Sequence, residues 1–251
     1  MLSLDSDCLR EPDLHGARIW LSGAVPEPET WGGAPMDRNV REFARAFAGL
    51  VFKYKGRLIH GCHPSITPVL VHQAQRYQAA TPDSGREQLR LVVSSYFGTQ
   101  EFCPEWQQNR HDWQRWSAAA EVEETPIVRC EEDDPQHKLT LAGSLAALRQ
   151  HMADAAQAFV AVGGKWWDAQ PGRAGIPIEF DLAQRKGIPC FILGGFGGIS
   201  SRYADEHPQW FRTLRNGLAD EVNRELAGAT DLTMAAGMVV AQLERLLKPT
   251  G

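Results

Sequence analysis

Short apolar runs alternate with helical patterns along the chain, and this alternation limits the folds that the sequence can adopt. Strands that alternate with helices indicate βαβ units and a parallel sheet. Continuous apolar runs, such as CFIL and AFVAV, are typical of strands that are covered on both faces. The sequence therefore predicts a Rossmann-like, doubly wound α/β fold, with a mostly parallel sheet, helices on both faces and a C-terminal helical extension. The six predicted strands are ARIWLSG (Ala17–Gly23), RLIHG (Arg57–Gly61), QLRLVVSSYFG (Gln88–Gly98), TPIVRC (Thr125–Cys130), AFVAVGGK (Ala158–Lys165) and IPCFILGG (Ile188–Gly195).

The domain organisation follows from the same pattern. Residues 1–16 lack periodicity, and we expect a loose lead-in there. We predict one Rossmann-like domain over residues 17–198. Residues 199–251 carry two helical patterns with a break at Gly228, and we expect these helices to pack on the same domain. A chain of 251 residues is long enough for a domain of this kind.

The charge distribution bears on the class of partner. The formal net charge is −5, and no basic stripe occurs. Nucleic acid is therefore an unexpected partner, because duplex binding requires a concentration of Lys and Arg. A small anionic ligand fits, since a few backbone amides can hold a phosphate. The N-terminal residues do not resemble a signal peptide, and no apolar run is long enough to cross a bilayer, so we expect a cytoplasmic protein with no membrane partner.

The cysteines give no indication of a disulfide framework or a metal site. They are five in number, dispersed, and form no CxxC pair. Such a pattern is typical of reduced thiols in the cytosol. We expect no metal and no other cofactor. The cysteines are Cys8, Cys62, Cys103, Cys130 and Cys190.

The ends of the predicted strands are the first candidates for a binding site. In an open α/β sheet, ligands bind at the carboxyl ends of the strands, where the strand order reverses. Five of the six ends are rich in glycine or serine, which indicates a rim where the backbone approaches a ligand closely. Neither GxGxxG nor GxxxxGK[ST] occurs. The candidate residues are Ser22, Gly23, Gly61, His63, Ser95, Tyr96, Phe97, Gly163, Gly164, Lys165, Gly194, Gly195 and Phe196.

The turn GCHPSITP (Gly61–Pro68) leads from the second strand into a helix. We expect Ser65 or Thr67 to cap this helix, whose first amides would then favour a phosphate. Thr67 is accordingly a candidate binding residue. His63 either donates to that phosphate or stacks beside a base; the alternative is a turn residue that is hydrogen-bonded to the backbone.

A single carboxylate, Glu179, lies near the start of the helix that follows the Gly163–Gly164 turn. It could bind a ribose hydroxyl or act on a glycosidic bond. The alternative is an acid in the first turn of a helix, where a negative charge is favourable.

Tryptophans suggest two further features. Trp106, Trp113 and Trp116 are spaced by seven and three residues, which indicates a helical packing stripe, or else a base-stacking lid or a dimer face. Trp166 and Trp167 follow Lys165 directly, and we expect one of them to cover an adenine.

The order RIWLSGAVP, GRLIHGCHPSITPVL, SSYFGTQEF and AFVAVGGK…GIPIEFDLAQRKGIPCFILGG resembles the SLOG superfamily over roughly residues 17–198. This superfamily comprises Smf/DprA-type proteins, LOG enzymes and nucleotide-sensing domains of bacterial defence proteins. The Gly-Gly and Gly-x-x-x-Glu arrangement parallels the LOG pattern GGxGTxxE, with Glu179 at the Glu position. Ten residues are inserted between Gly164 and Gly175, and Ile176 replaces the Thr. The turn Gly61–Pro68 is more similar to the defence-associated sensors.

The resemblance implies binding of an ADP-ribose-type or cyclic nucleotide signal in a bacterial immune or stress pathway. Its implied partners are this nucleotide, further copies of the chain in a homo-oligomer, and a separate effector protein. The alternative is a LOG-like phosphoribohydrolase with Glu179 as the catalytic residue. Those enzymes pair an Arg with the Glu, and Arg173, within the insertion, is the only Arg near the glycine loop, so hydrolysis is less expected. A weaker alternative is a DprA-like DNA-binding module.

Overall fold

A computed structural model describes residues 12–26, 36–82, 84, 86–131, 134–165 and 175–247. Within these ranges, six strands form one sheet in the order β4-β3-β2-β1-β5-β6, and every neighbouring pair is parallel. The predicted fold class, a parallel Rossmann-like α/β fold, is confirmed. The strands are β1 (Arg18–Ala24), β2 (Arg57–His60), β3 (Leu89–Ser94), β4 (Glu121–Thr125), β5 (Ala158–Gly163) and β6 (Cys190–Leu193).

Helices connect the strands and follow the last one. Two short 3-10 helices span Ser95–Gly98 and Pro208–Arg212. The α-helices are α1 (Met36–Lys53), α2 (Thr67–Ala80), α3 (Trp106–Trp116), α4 (Lys138–Ala155), α5 (Gly175–Lys186), α6 (Gly198–Glu206), α7 (Asp220–Gly228) and α8 (Leu232–Leu247). Among the described residues, none of the helices combines the length and the apolar character that a bilayer span requires.

The strand order places a topological switch point between β1 and β5. The chain proceeds outward from β1 through β2 and β3 to β4, and then returns to the other side of β1 with β5. Ser22 pairs with Ala161 in this register, and Ala24 with Gly163. Ligands of open α/β sheets bind in the crevice at such a point, so the fold directs attention to the carboxyl ends of β1 and β5.

Buried side chains pack on both faces of the sheet, which explains the continuous apolar strands. On one face, α1, α2, α3 and α8 cover Ile19, Leu21 and Val160. On the other face, α4 and α5 cover Trp20 and Phe159, whose ring centroids are 5.0 Å apart in an edge-on arrangement. Helices therefore lie on both faces, as the doubly wound pattern predicts. The buried residues of α8 belong to the same core as those of α1.

The prediction of the fourth strand was wrong. The strand is EVEET (Glu121–Thr125). Of the predicted strand TPIVRC only Thr125 belongs to it, and residues 126–130 lie in a segment without regular structure. β4 lies at the edge of the sheet and is partly exposed, so it needs no apolar run; Arg90 of β3 pairs with Glu121 at 3.2 Å. Charged residues are common on edge strands because they prevent edge-to-edge association. Pro126, which has no N–H, follows directly.

Two of the three spaced tryptophans form part of the core. Trp113 and Trp116 on α3 are each 7% exposed and pack on the α1 side of the sheet. The interpretation as a helical packing stripe is thereby confirmed for these two residues. Trp166 and Trp167, like Arg173, lie outside the described residues.

Candidate functional site

A carboxylate that is largely shielded from solvent lies at the switch point. Glu179, on the first turns of α5, accepts a hydrogen bond from the Ser22 hydroxyl through Oε2. Its other oxygen, Oε1, lies 3.3 Å from Nε of Arg149 on α4. The side chains of Arg149 and Glu179 are only 14% and 15% exposed. Burying a carboxylate is costly unless it is paired and hydrogen-bonded, and both conditions are met here. We call Ser22, Arg149 and Glu179 the switch-point cluster.

Arg149 is a candidate site residue that the sequence did not indicate. The sequence offered Arg173 as the only Arg near the glycine loop, and in the structure α4, from the preceding crossover, brings a different arginine, Arg149, beside Glu179 of α5. Its neighbours Leu148 and Met152 pack against the sheet. The sequence shows only a long cationic side chain beside this buried stripe; arginine can extend from the edge of an apolar face, but the pattern does not show which group it contacts.

The glycines after β5 are explained by contacts within the protein. Gly163 and Gly164 have φ values of 63° and 90°, in the left-handed region that favours glycine. The Gly164 amide donates to the Ala24 carbonyl at 2.6 Å, and its carbonyl accepts from the Ile199 amide at 3.1 Å. A Cβ at Gly198 would lie 2.5 Å from Gly164 O and 2.5 Å from Gly163 C. The loops after β5 and β6 are therefore in direct backbone contact.

Internal packing also accounts for Gly23 and Gly61. A Cβ at Gly23 would lie 2.7 Å from the carbonyl oxygen of Val162, on the neighbouring strand. A Cβ at Gly61 would lie 3.1 Å from Met152 Cε. Both glycines permit close approach, but the partner is the protein itself. Such positions support the site by letting β1, β2 and α4 meet near the switch point.

The end of β6 does not form part of an open rim. A Cβ at Gly195 would overlap the carbonyl group of Ala229, at 2.6 Å from its carbon atom. Gly194 is buried, and Phe196 is 1% exposed, with its ring centroid 5.3 Å from that of Phe43. Gly195 packs against the turn between α7 and α8, Gly194 against α6 and α7, and Phe196 against α1, so this glycine run serves packing.

The turn after β2 differs from its prediction. The N-cap of α2 is Ile66, with no side-chain cap, so the expectation that Ser65 or Thr67 caps the helix was wrong. The two hydroxyls are used elsewhere. Ser65 Oγ accepts from the Val25 amide at 3.0 Å, and the buried Thr67 donates through Oγ1 to the His63 carbonyl at 2.7 Å. Side-chain hydroxyls that bond to nearby backbone in this way compete with capping.

The two histidines of β2 and its turn are held close to the switch point. His60 is buried, with Nδ1 2.9 Å from the Leu21 carbonyl oxygen, and burial lowers its pKa. His63 Nδ1 lies 2.7 Å from Ser65 Oγ. Burial, reinforced by the nearby charges of His60 and Lys165, lowers the pKa of His63 to about 4. Lys165, which is exposed, thus reaches His63 electrostatically from the end of β5.

The end of β3 carries a second, separate cluster. The Ser95 hydroxyl donates to Glu124 Oε2 at 3.0 Å, and Arg110 Nη1 lies 2.6 Å from Glu124 Oε1. We call Ser95, Arg110 and Glu124 the surface cluster. Tyr96 is buried with its ring stacked on Phe102 at 5.1 Å, and the Phe97 carbonyl accepts from Asn109 at 2.8 Å. None of these contacts joins the predicted residues of β3 to Glu179, and β3 is two strands from β1.

The parallel sheet and the charged cluster at its switch point define a Rossmann-like α/β protein with a site between β1 and β5. The SLOG cluster2 family matches residues 36–213, more than half of the chain. The chain belongs to this family, which confirms the resemblance seen in the sequence.

Among solved structures, the chain is similar to one described as the X-ray structure of TM1055, a target of the Northeast Structural Genomics Consortium. The two share 13% sequence identity, with a TM-score of 0.45, and the match covers 75% of this chain and 81% of that chain. No curated protein is significantly similar to the chain in sequence.

Proposed function

We propose that the protein binds a nucleotide-derived ligand, of the ADP-ribose type or a cyclic nucleotide, in the crevice between the ends of β1 and β5. The observation that carries the proposal is the switch-point cluster, in which the largely shielded Glu179 lies between Ser22 and Arg149. Membership of the SLOG cluster2 family supports a nucleotide-related role.

The chemistry of the cluster fits a ribose. A carboxylate has about four lone-pair positions, and two donors occupy one position on each oxygen of Glu179. The remaining positions suit the hydroxyl groups of a ribose, which donate hydrogen bonds. A Cβ at Gly175 would lie 3.4 Å from both Arg149 Nη2 and Glu179 Oε1, so glycine keeps this side of the pair uncrowded.

The surroundings also fit an anionic group. Lys165 follows the β5 turn, and its charge reaches His63 across the end of β1. Arg149 adds a second cation beside Glu179. Phosphates are bound by such cations together with N–H donors. A ligand with a ribose near Glu179 and phosphate near Lys165 matches the arrangement of charges.

The biological role that we propose is that of a sensor. The similarity of the Gly61–Pro68 turn to defence-associated sensors supports recognition of a signal in a bacterial immune or stress pathway. We propose that the protein acts in the cytoplasm, as a homo-oligomer or together with a separate effector protein.

A ligand screen tests the proposal. ADP-ribose, NAD, cyclic ADP-ribose isomers and nucleoside monophosphates are added to the purified protein, and thermal unfolding and calorimetric heat are measured. A ligand at a hundred times its dissociation constant stabilises the protein by about 2.7 kcal/mol. Glu179→Gln is expected to weaken binding at least tenfold, because a hydrogen bond to a charged group contributes about 1.5–3 kcal/mol. Asp181→Asn, an exposed position on the same helix, is the matched control. Absence of binding by every compound contradicts the proposal.

Hydrolysis of an N-glycosidic bond is the second candidate, and the Arg149–Glu179 pair favours it. In this reaction water adds to C1′ of the ribose, the C1′–N bond breaks, and the base leaves with a proton. Glu179 would stabilise the positive charge that builds on the ribose ring. A residue that acts mainly in the transition state lowers turnover when replaced and changes affinity little.

Chromatography of AMP, NAD and ADP-ribose incubated with the wild type separates the candidates. Sensing predicts no free adenine or nicotinamide and weaker binding by Glu179→Gln. Steady release of base by the wild type, lost in Glu179→Gln and kept in Asp181→Asn, would establish the hydrolase.

A further inference from the structure

The turn after β2 is fixed by hydrogen bonds from three other segments. Ser65 Oγ accepts from the amide of Val25, which follows β1, at 3.0 Å. Nε of Arg41, on α1, donates to the Ser65 carbonyl at 3.1 Å. On α2, Thr67 donates to the His63 carbonyl at 2.7 Å. The position of His63 is therefore set from β1, α1 and α2 together.

The same serine determines which ring nitrogen of His63 carries the proton. The Ser65 amide donates to His63 Nδ1 at 3.3 Å, and the Ser65 hydroxyl lies 2.7 Å from that nitrogen. An amide N–H can only donate, so Nδ1 is the acceptor and Nε2 carries the proton. Because the Ser65 hydroxyl accepts from Val25, its own hydrogen is directed to Nδ1. His63 is thus held as a neutral ring with one donor, at Nε2.

Burial, together with the ionisable groups around the ring, favours this neutral state. Lys165 approaches from the end of β5, His60 lies in β2, and Arg41 contacts the adjacent Ser65 carbonyl. With burial, the charges of His60 and Lys165 lower the pKa of His63 to about 4, so the ring stays neutral above about pH 5. A neutral, directed N–H beside a lysine suits a phosphate oxygen, since the lysine supplies charge and the ring supplies direction.

We propose that Ser65 is a positioning residue, which holds His63 so that its Nε2–H donates to a phosphate oxygen of the bound nucleotide. The inference rests on the proposed function and adds the phosphate subsite to it. A donor that remains neutral would make this contact independent of pH over the physiological range.

Two measurements test the proposal. The first is long-range ¹H–¹⁵N NMR of the histidine rings in the free wild type, which requires no variant and no ligand. His63 is expected as the Nε2–H tautomer. Ser65→Ala keeps the amide donor at 3.3 Å but loses the hydroxyl donor at 2.7 Å, so it is expected to show a larger share of the Nδ1–H tautomer than the wild type. The second is the affinity for ADP-ribose, which is expected to fall about threefold to tenfold in Ser65→Ala, as for loss of one neutral hydrogen bond. Ser65→Thr, which keeps the hydroxyl, is expected to restore both readings.

The outcomes separate this inference from the proposed function. An Nδ1–H ring in the wild type would overturn the inference. Unchanged ADP-ribose affinity in Ser65→Ala, together with weakened affinity in Glu179→Gln, would also overturn the inference. The proposed function would then be retained without it. If the wild type binds none of the nucleotides in the screen, the proposed function fails, and the phosphate role of His63 fails with it.

Discussion

Two clusters of the same three residue types lie at the carboxyl edge of the sheet. In the switch-point cluster, Glu179 accepts from Ser22 and Arg149. In the surface cluster, Glu124 accepts from Ser95 and Arg110. The paired side chains of the first are 14% and 15% exposed, and those of the second are 42% and 39% exposed.

The difference shows that residue types alone do not define a site. An ion pair in water contributes little to stability, because solvent screens the charges and ordering two long side chains costs entropy. A buried pair has lost its hydration, so each charge depends on its partner and on any ligand that replaces water. A Ser–Arg–Glu cluster therefore forms a surface contact at the end of β3, whereas a cluster of the same residue types forms a candidate ligand site at the end of β1.

The largest expected effect comes from removing each carboxylate charge. Glu179→Gln is expected to lower the free energy of unfolding by about 1.5–3 kcal/mol, because the charge of Arg149 is left partly buried without its partner. Glu124→Gln is expected to lower it by at most about 1 kcal/mol. Urea unfolding at pH 7 measures both values. Equal values for the two variants would remove the distinction between the clusters.

Replacing the serine of each cluster, Ser22 or Ser95, tests the same difference in burial with a smaller expected change in stability. Ser22 is 3% exposed and donates to Glu179, so Ser22→Ala is expected to cost about 1–2 kcal/mol of stability. Ser95→Ala, at the more exposed strand end, is expected to cost less than about 0.5 kcal/mol. Urea unfolding again gives both numbers. A larger loss for Ser95→Ala contradicts the assignment of the buried cluster to β1.

Titration tests burial near the switch point in a different way. The pKa of His63 is lowered to about 4, below the value of 6.5 for an ordinary histidine. The unfolded chain therefore takes up a proton first as the pH falls, and this reduces stability. Between pH 7 and pH 6 the wild type is expected to lose up to about 0.7 kcal/mol more than His63→Gln. His60 contributes to both proteins, so the difference isolates His63. Parallel pH profiles would show that His63 is not buried.

Salt gives the smallest expected effect. Raising the ionic strength from about 0.1 M to 1 M shortens the screening length from about 10 Å to about 3 Å. The stability difference between wild type and Glu124→Gln is expected to vanish, while that for Glu179→Gln remains at more than about half its value. Comparing differences cancels the general effect of salt on folding. Loss of both differences in high salt would show that Glu179 is exposed to solvent.

Much of the fold could be predicted because the strands are buried on both faces. Five strands were located from continuous apolar runs, and the alternation with helices indicated a parallel sheet. β4 could not be found in this way, because a partly exposed edge strand needs no continuous apolar sequence and carries charged residues such as Glu121, which faces Arg90. The apolar residues that follow Thr125 lie beyond the end of the strand, where Val128 is 42% exposed.

The site was predictable only where it depends on the strand ends. Ser22 and Glu179 were identified from their positions near the carboxyl end of β1 and at the start of α5, and the structure brings them into contact. Arg149 was missed because its role depends on how α4 packs beside α5, which no local pattern records. The glycine run after β6 was predicted to approach a ligand, but Gly195 instead packs against the turn between α7 and α8. This contact could not be predicted because the two segments are distant in sequence.

The backbone contact between the loops after β5 and β6 also restricts how the molecule can move. The Ile199 amide is bonded to the Gly164 carbonyl, and Gly198 is packed against Gly163 without space for a single methyl group. Packed interiors move as discrete units and do not deform continuously. A displacement of Gly163 and Gly164 is therefore expected to be accompanied by a displacement of the start of α6. The outer surface of α6, with its Arg202–Glu206 ion pair, is thus joined to the centre of the sheet by a rigid connection of a few residues.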